Sequence, residues 1–234
     1  MTPATSASSA PSWARAMRRF NDWLLFDMGG GQRPCRLASV INLQKAGSFP
    51  VLAFMIWFYS ERTGAGTSTA AWLYLAMHGT YGLTWLMKDL LFPDPNWERR
   101  ITFGGAVASW ALVLGPYWLA PVLLISSGAE APAWLLGACT LVYALGVVTM
   151  MGSDAQKYFV LRARPGLITD GFFSRIRHPN YLGEMLLYGS FAALSMHWAP
   201  WVVLAWVWLG VFVPNMLQKE ARMARHPGWA AYKA

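Results

Sequence analysis

Six apolar runs, at about 46–60, 69–91, 102–125, 132–152, 181–198 and 200–217, set the terms on which this chain can fold. Each is near the roughly 20 residues that a helix rising 1.5 Å per residue needs to cross a bilayer, or slightly short of it. The first extends upstream, because 37–43 is apolar enough to carry it past Asn42 and Gln44. In lipid the backbone must satisfy its own hydrogen bonds. The runs therefore predict an all-α integral membrane bundle of six transmembrane helices, or seven if 13–27 also spans. Only 13% of the residues are charged, against about 25% in an average soluble domain, which excludes an ordinary soluble or disordered chain.

Between the runs, charge sets orientation. Counting Lys and Arg on alternate sides of six spans places eighteen on one side and only Arg62 on the other. Cytoplasmic loops carry that excess, so both termini and a 153–180 loop are expected in the cytoplasm. The same topology accounts for the net charge of +8 without nucleic acid. Residues 1–12 read as a disordered Ser/Ala/Thr/Pro tail, and 13–234 as a single membrane domain. Within it, 13–35 opens as an interfacial segment or first short span, where Arg15, Arg18 and Arg19 stand beside Trp13, Phe20 and Trp23. Cys35 and Cys139 have no CxxC spacing and no Cys/His cluster, so no disulfide framework and no metal site are expected. The expected partners are membrane lipids and a lipophilic small molecule, bound by a monomer.

The stretch from Met151 to Glu184 carries the most chemistry. Pro179 suits the first turn of a helix, and Asn180, Glu184 and Tyr188 then recur at i, i+4 and i+8 with Tyr181 beside them. A carboxylate on a membrane helix costs about 2.5–3.5 kcal/mol on insertion scales and marks function by default; the plainer reading pairs Glu184 with Arg175 or Arg177 as a structural cap. Lys157, Arg162, Arg164, Arg175 and Arg177 bring cations together, and the guanidinium forks of the four arginines match phosphate. Asp154 and Gln156 beside Lys157 suit a ligand that offers sugar hydroxyls and phosphates together. No Walker loop or GxGxxG opens a helix here. Upstream, His78, Tyr81, Trp85 and Lys88 share one helical face at i, i+3, i+7 and i+10.

Asp154-Ala-Gln-Lys157, the Arg162/Arg164 pair, Gly171-Phe-Phe and His178-Pro-Asn-Tyr-Leu-Gly-Glu184 resemble the C-terminal half of the steroid 5-alpha-reductase family, itself similar to sterol reductases and trans-enoyl-CoA reductase. The likeness spans about 150–234. It implies an NADPH-dependent oxidoreductase whose residues 36–152 form the substrate side and 153–234 the cofactor half, with the cofactor site at the cytoplasmic side. By this resemblance Asp154, Lys157, Arg162, Arg164, Arg177, His178, Asn180, Tyr181, Glu184 and Glu220 contact NADPH. Gln44-Lys-Ala-Gly-Ser-Phe-Pro50 resembles the family's Gln-Glu-x-Pro-x-Phe segment with Lys45 in place of the acid, and Tyr81 looks like the tyrosine that donates to the substrate carbonyl. Tyr81, Lys45 and Gln44 are thus the implied catalytic residues, acting on a double bond conjugated to a carbonyl, foremost in a 3-oxo-Δ4 steroid. More distantly, Arg177-His-Pro-Asn-Tyr-Leu-Gly183 also satisfies the Arg-His-Pro-x-Tyr-x-Gly segment of isoprenylcysteine and phospholipid methyltransferases, which use S-adenosylmethionine. Those enzymes carry paired acids where this chain has Lys219-Glu220. A nonenzymatic lipid-binding protein is the third reading.

Overall fold

A computed structural model of the chain describes residues 10–233; the expected tail lies almost wholly outside them. Helix α1, Ser12–Asp22, runs into a wide helical turn at Trp23–Asp27. The long helices follow: α2, Leu37–Thr63; α3, Thr69–Leu91; α4, Phe103–Ser127; α5, Ala133–Ala163; α6, Pro179–Leu194; and α7, Ala199–Met223, before the short α8, Trp229–Lys233. The upstream start of the first span is met, since α2 begins at Leu37.

Local chemistry sets the ends. Ser68 Oγ accepts from the Ala71 N–H at the start of α3, and Thr102 Oγ1 accepts from the Gly105 N–H at the start of α4. Gly64 and Gly128 close α2 and α4 in the left-handed conformation, at φ 76° and 62°. The first N–H groups of α2 find carbonyls outside the helix: Leu37 donates to Arg99 and Ala38 to Trp97, at 3.0 and 2.8 Å. A two-residue antiparallel pairing of Cys35–Arg36 with Arg100–Ile101 continues that clip. The 92–101 connection is thereby bound to the start of α2, and Trp97 is held inward.

Four helices, α2, α4, α5 and α7, are long and apolar enough to cross a membrane, making this an all-helical membrane protein. That is short of the six expected. Helix α3 has the length but carries His78, Thr80, Lys88 and Asp89, and α6 has 16 residues. The packed centre, around Leu52, Ile56, Tyr74, Leu124, Leu187 and Leu194, lies between α2, α3, α4 and α6, while Trp57, Leu90, Trp206 and Leu209 face outward. Helices α5 and α6 touch through glycines: a Cβ on Gly183 would lie 2.5 Å from Met150 N, and one on Gly146 would lie 2.7 Å from Leu187 N.

One expectation is corrected. The 153–180 connection is not a loop throughout, because α5 continues to Ala163. The charges that suggested a loop find partners instead: Asp154 pairs with Lys88 of α3, and Lys157 lies 3.8 Å from Asp94. Hydropathy ends where those residues begin, but the helix does not.

Candidate active site

A partly open cavity of about 260 Å³ lies where α1, α2, α3, α4, α5, α6 and α7 converge. Its walls include Lys45, Tyr81 and Lys88 from the first half of the chain, and Asp154, Asn180, Tyr181 and Glu184 from the second. The 3.6-residue repeat of α3 turns Tyr81, Trp85 and Lys88 to one side, as their spacing predicts. The repeat of α6 does the same for Asn180, Glu184 and Tyr188.

At one end is a hydrogen-bond chain. Lys45 Nζ donates to Tyr188 Oη at 2.9 Å, and Tyr188 Oη lies 3.1 Å from Tyr81 Oη. Lys45 Nζ also sits 4.5 Å from the centre of the Tyr81 ring. Tyr188 already accepts from Lys45, so its own proton is available to Tyr81 Oη. Either hydroxyl can be the donor of that pair; with Tyr188 donating, the Tyr81 O–H is free to donate into the cavity. Tyr117 stacks on Tyr188 with ring centres 4.1 Å apart and fixes its plane.

At the mouth, Lys88 is ion-paired with Asp154, and its Nζ lies beside the stacked rings of Trp85 and Trp97, 4.7 and 4.5 Å from their centres. Asp94 stands beside this pair. Burial disfavours its carboxylate, but Lys157, the two Asn96 hydrogen bonds and Lys88 together outweigh that cost and hold its pKa below the ordinary carboxylate value. Helix α1 closes another side: Arg18 donates to Asn215 Oδ1 at 2.7 Å, and Asn21 donates to the Gly210 carbonyl at 3.0 Å. Between relay and mouth, Glu184 and Asn180 line the cavity, and among the described residues neither side chain makes a hydrogen bond or ion pair.

An open groove of about 780 Å³ lies on the other side of Tyr181, bordered by Arg175, Arg177, His178 and Tyr232. Glu220 lies 3.3 Å from Arg177 and 3.5 Å from His178. Burial and the Lys219 charge push the His178 imidazole pKa down against the pull of Glu220. Tyr232 donates to the Phe173 carbonyl at 2.7 Å and holds α8 over the groove.

Cavity and groove therefore gather Lys45, Tyr81, Asp154, Asn180, Tyr181, Glu184, Arg177 and His178. Other residues singled out in the sequence lie apart. Gln44 is buried with neither amide atom partnered and does not line the cavity. Arg162 and Arg164 are exposed at the end of α5, on the Tyr158 hydroxyl and on Asp170. Gln156 clamps the following turn, donating to the Asp170 carbonyl and accepting from the Phe172 N–H, both at 2.9 Å. Glu184 does not pair with Arg175 or Arg177, so the cap reading fails. Lys88 was signalled by its place on the Tyr81 face; Tyr117, Trp97, Arg18 and Asn215 had no local signal, since only tertiary packing brings them in.

Fold and site together define a helical membrane protein with a partly open cavity between its helices, apolar over most of its wall and carrying a few charged and polar side chains. The chain belongs to the family described as "Protein of unknown function (DUF1295)", whose pattern matches residues 112–234. It is also 36% identical over 74 residues to an uncharacterized protein of Schizosaccharomyces pombe, a stretch covering 28% of this chain and 24% of that one. The chain thus matches about a quarter of that relative's length. No solved structure matches. The family match takes in Asp154, Asn180, Glu184, Tyr188 and Glu220 but leaves Lys45, Tyr81 and Lys88 outside it.

Proposed function

We propose that the chain is an NADPH-dependent reductase of a carbon–carbon double bond conjugated to a carbonyl in a lipophilic substrate, with six membrane crossings and the cofactor entering from the cytoplasm. The observation that carries this reading is the Lys45–Tyr188–Tyr81 hydrogen-bond chain ending in the same cavity as the unpartnered Glu184 and Asn180. The family includes steroid 5-alpha-reductase-like proteins, which supports it.

The donor set fits the cofactor. A carboxylate and an amide without protein partners suit a nicotinamide carboxamide and ribose, and the cations Lys219, Arg175 and Arg177 suit phosphates. A cavity of about 260 Å³ lies below the roughly 300–1,000 Å³ of sites that enclose drug-sized ligands. The dinucleotide therefore has to use the open groove beyond Tyr181 as well. In this reading phosphate contacts fall to those cations before Arg162 and Arg164.

When bound, the cofactor supplies hydride to the β carbon, and the former double-bond pair then resides on an enolate. The protein meets that charge. Tyr81 donates to the enolate oxygen, Tyr188 and Lys45 behind it hold the hydroxyl proton outward, and the helices keep water away so that the donor acts at full strength. The α carbon then takes a proton from water that enters as the site opens, leaving a saturated carbonyl compound, hydroxide that the solvent neutralises, and oxidised cofactor. Thermal-shift titration of the detergent-solubilised protein with NADPH and with S-adenosylmethionine tests the assignment. Stabilisation by NADPH is expected; stabilisation by S-adenosylmethionine alone makes the protein a methyltransferase, and a response to neither removes both readings.

A further inference from the structure

We infer that Lys45 is a covalent capture site for lipophilic aldehydes: its amine condenses with the aldehyde carbonyl inside the cavity and holds the compound as an iminium on Nζ.

Its surroundings single this lysine out. Lys45 is only 3% exposed, and it lines a cavity whose wall is mostly apolar. Among the described residues no carboxylate stands within ion-pair distance of it, whereas Lys88 is paired with Asp154 and Lys157 lies beside Asp94. Glu184 shares the cavity but makes no ion pair with it. Lys219, also on the wall without an ion pair, is only half-buried and keeps its access to water. Desolvation in an apolar pocket is how a lysine is made a nucleophile toward carbonyls. Packing then fixes where the amine goes. A Cβ on Gly82 would lie 2.4 Å from the Lys45 carbonyl oxygen, so α2 and α3 touch at Lys45 itself. The rings of Tyr81, Trp85 and Tyr188 surround Nζ, with centres 4.5, 5.5 and 5.5 Å away.

Condensation needs a group that moves protons beside the amine, and Tyr188 is hydrogen-bonded to Nζ on one side and Tyr81 Oη on the other. Nζ adds to the carbonyl carbon, and the carbonyl π pair goes to oxygen, which takes a proton from Tyr81. The proton that nitrogen loses returns to Tyr81 through Tyr188. With one further proton from solvent at the open mouth, the C–O bond breaks, water departs, and the nitrogen lone pair closes the C=N bond. Hydrolysis reverses each step. An aldehyde is the carbonyl that suits a single buried amine, because a thioester would acylate it irreversibly and a ketone condenses far less readily. Those compounds keep to the Tyr81 route, in which Lys45 stands behind the donor. If the aldehyde is conjugated, the iminium draws electrons from its β carbon more strongly than the carbonyl does. In the reductase reading that carbon accepts the nicotinamide hydride and an enamine forms. Its α carbon takes a solvent proton, and one water releases the saturated aldehyde and the lysine. The capture stands without that reading; only the reduction rests on it.

The test uses the full chain in detergent and octanal, a saturated aldehyde that can join an amine only at its carbonyl carbon. Protein, octanal and sodium cyanoborohydride are incubated at neutral pH, and N-octyl lysines are located by peptide mass spectrometry. Lys45 should be alkylated at least about tenfold faster than the exposed Lys233, since the cavity holds amine and carbonyl together. Tyr188→Phe should slow alkylation of Lys45 and leave that of Lys233 unchanged. The comparison within the parent needs no variant, so it decides the matter if Tyr188→Phe fails to fold. Alkylation of Lys45 no faster than of Lys233 overturns the capture; the rings then hold it as an inert ammonium. NADPH oxidation with trans-2-octenal is followed in parallel. Oxidation without the Lys45 adduct leaves the reductase standing and overturns the capture, whereas the adduct without oxidation upholds the capture and counts against the reductase.

Discussion

Tyr81 and Lys45 share a neighbour, Tyr188, and in the proposed reaction Tyr81 is the direct donor while Tyr188 and Lys45 stand behind it. Tyr81→Phe removes the last hydroxyl of the chain while keeping the ring over Lys45. Loss of one such donor typically costs about 2.7–4 kcal/mol, or roughly 100- to 1,000-fold in turnover, so kcat should fall by that order with NADPH affinity unchanged. Tyr188→Phe leaves Tyr81 in place but frees its proton to point elsewhere, and a smaller loss is expected. Turnover of Tyr81→Phe within about threefold of the parent, far short of that loss, removes it from the chemistry. Asp154 poses a different question, because it pairs with Lys88 and both side chains are nearly enclosed, at 12% and 4% exposure. Asp154→Asn leaves a buried ammonium unpaired, and breaking such a pair costs about 3–5 kcal/mol. Replacing both partners, with Lys88→Met and Asp154→Leu, should recover most of that stability in a thermal melt. If Asp154 also meets the cofactor, the recovered double variant will still bind NADPH poorly; full affinity in that variant makes the pair purely structural.

At the scale of elements, the α5–α6 contact decides whether Asp154 and Glu184 share one cavity. The Gly146–Gly183 approach leaves no room for a methyl, so Gly183→Ala pushes the helices apart and should cost about 1–3 kcal/mol as overpacking does. It should also weaken NADPH binding, whereas Gly137→Ala, with open space around it, should do neither; equal melting temperatures for the two would show that the contact can yield. The connection after α3 carries a pH dependence. Because the Asp94 pKa is lowered on folding, its contribution is present above the unfolded carboxylate value of about 3.9 and is lost as pH falls through the lower folded value. Asp94→Asn should flatten that part of an acid melting curve, and an unchanged curve would remove Asp94 from the clip over the cavity. Much at this scale was legible in the sequence: the start of α2, the whole of α3, the tight α6–α7 connection and the polar faces of α3 and α6 all follow from local pattern. The end of α5 was not, because Asp154 and Lys157 look like loop residues until Lys88 and Asp94, some 60 positions earlier, arrive to pair with them. Tyr117 was hidden for a related reason, since irregular helical geometry at Gly115-Pro116 sets where it points and periodicity assumes none.

For the whole molecule, the number of crossings fixes which face the cavity opens to. Among the described residues only α2, α4, α5 and α7 have the length and apolarity of a span by themselves, and the six crossings proposed above need α3 and α6 to cross as well. Carbonyls of the connection after α3 accept from the first N–H groups of α2, so the end of α3 lies beside the start of α2, as six crossings require. Likewise Arg177, just before α6, reaches Glu220 near the end of α7, while Ala192 and Pro200 line one small void at the other end, so α6 runs alongside its neighbour. Charge agrees. Six crossings divide Lys and Arg eighteen to one, whereas four crossings, with α3 and α6 failing to span, divide them ten to nine and abolish the bias that orients membrane proteins. The two arrangements differ in an accessible way. With Cys35 and Cys139 replaced, single cysteines at the exposed positions Thr67, Pro95, Thr169 and His197 can be labelled in intact cells with a membrane-impermeant maleimide. Six crossings put Thr67 and His197 on the outer side, where they react, and Pro95 and Thr169 on the cytoplasmic side, where they react only after lysis. Four crossings put all four positions on one side. A uniform labelling pattern would therefore overturn the six-crossing topology and, with it, a cavity whose mouth faces the cytoplasmic supply of NADPH.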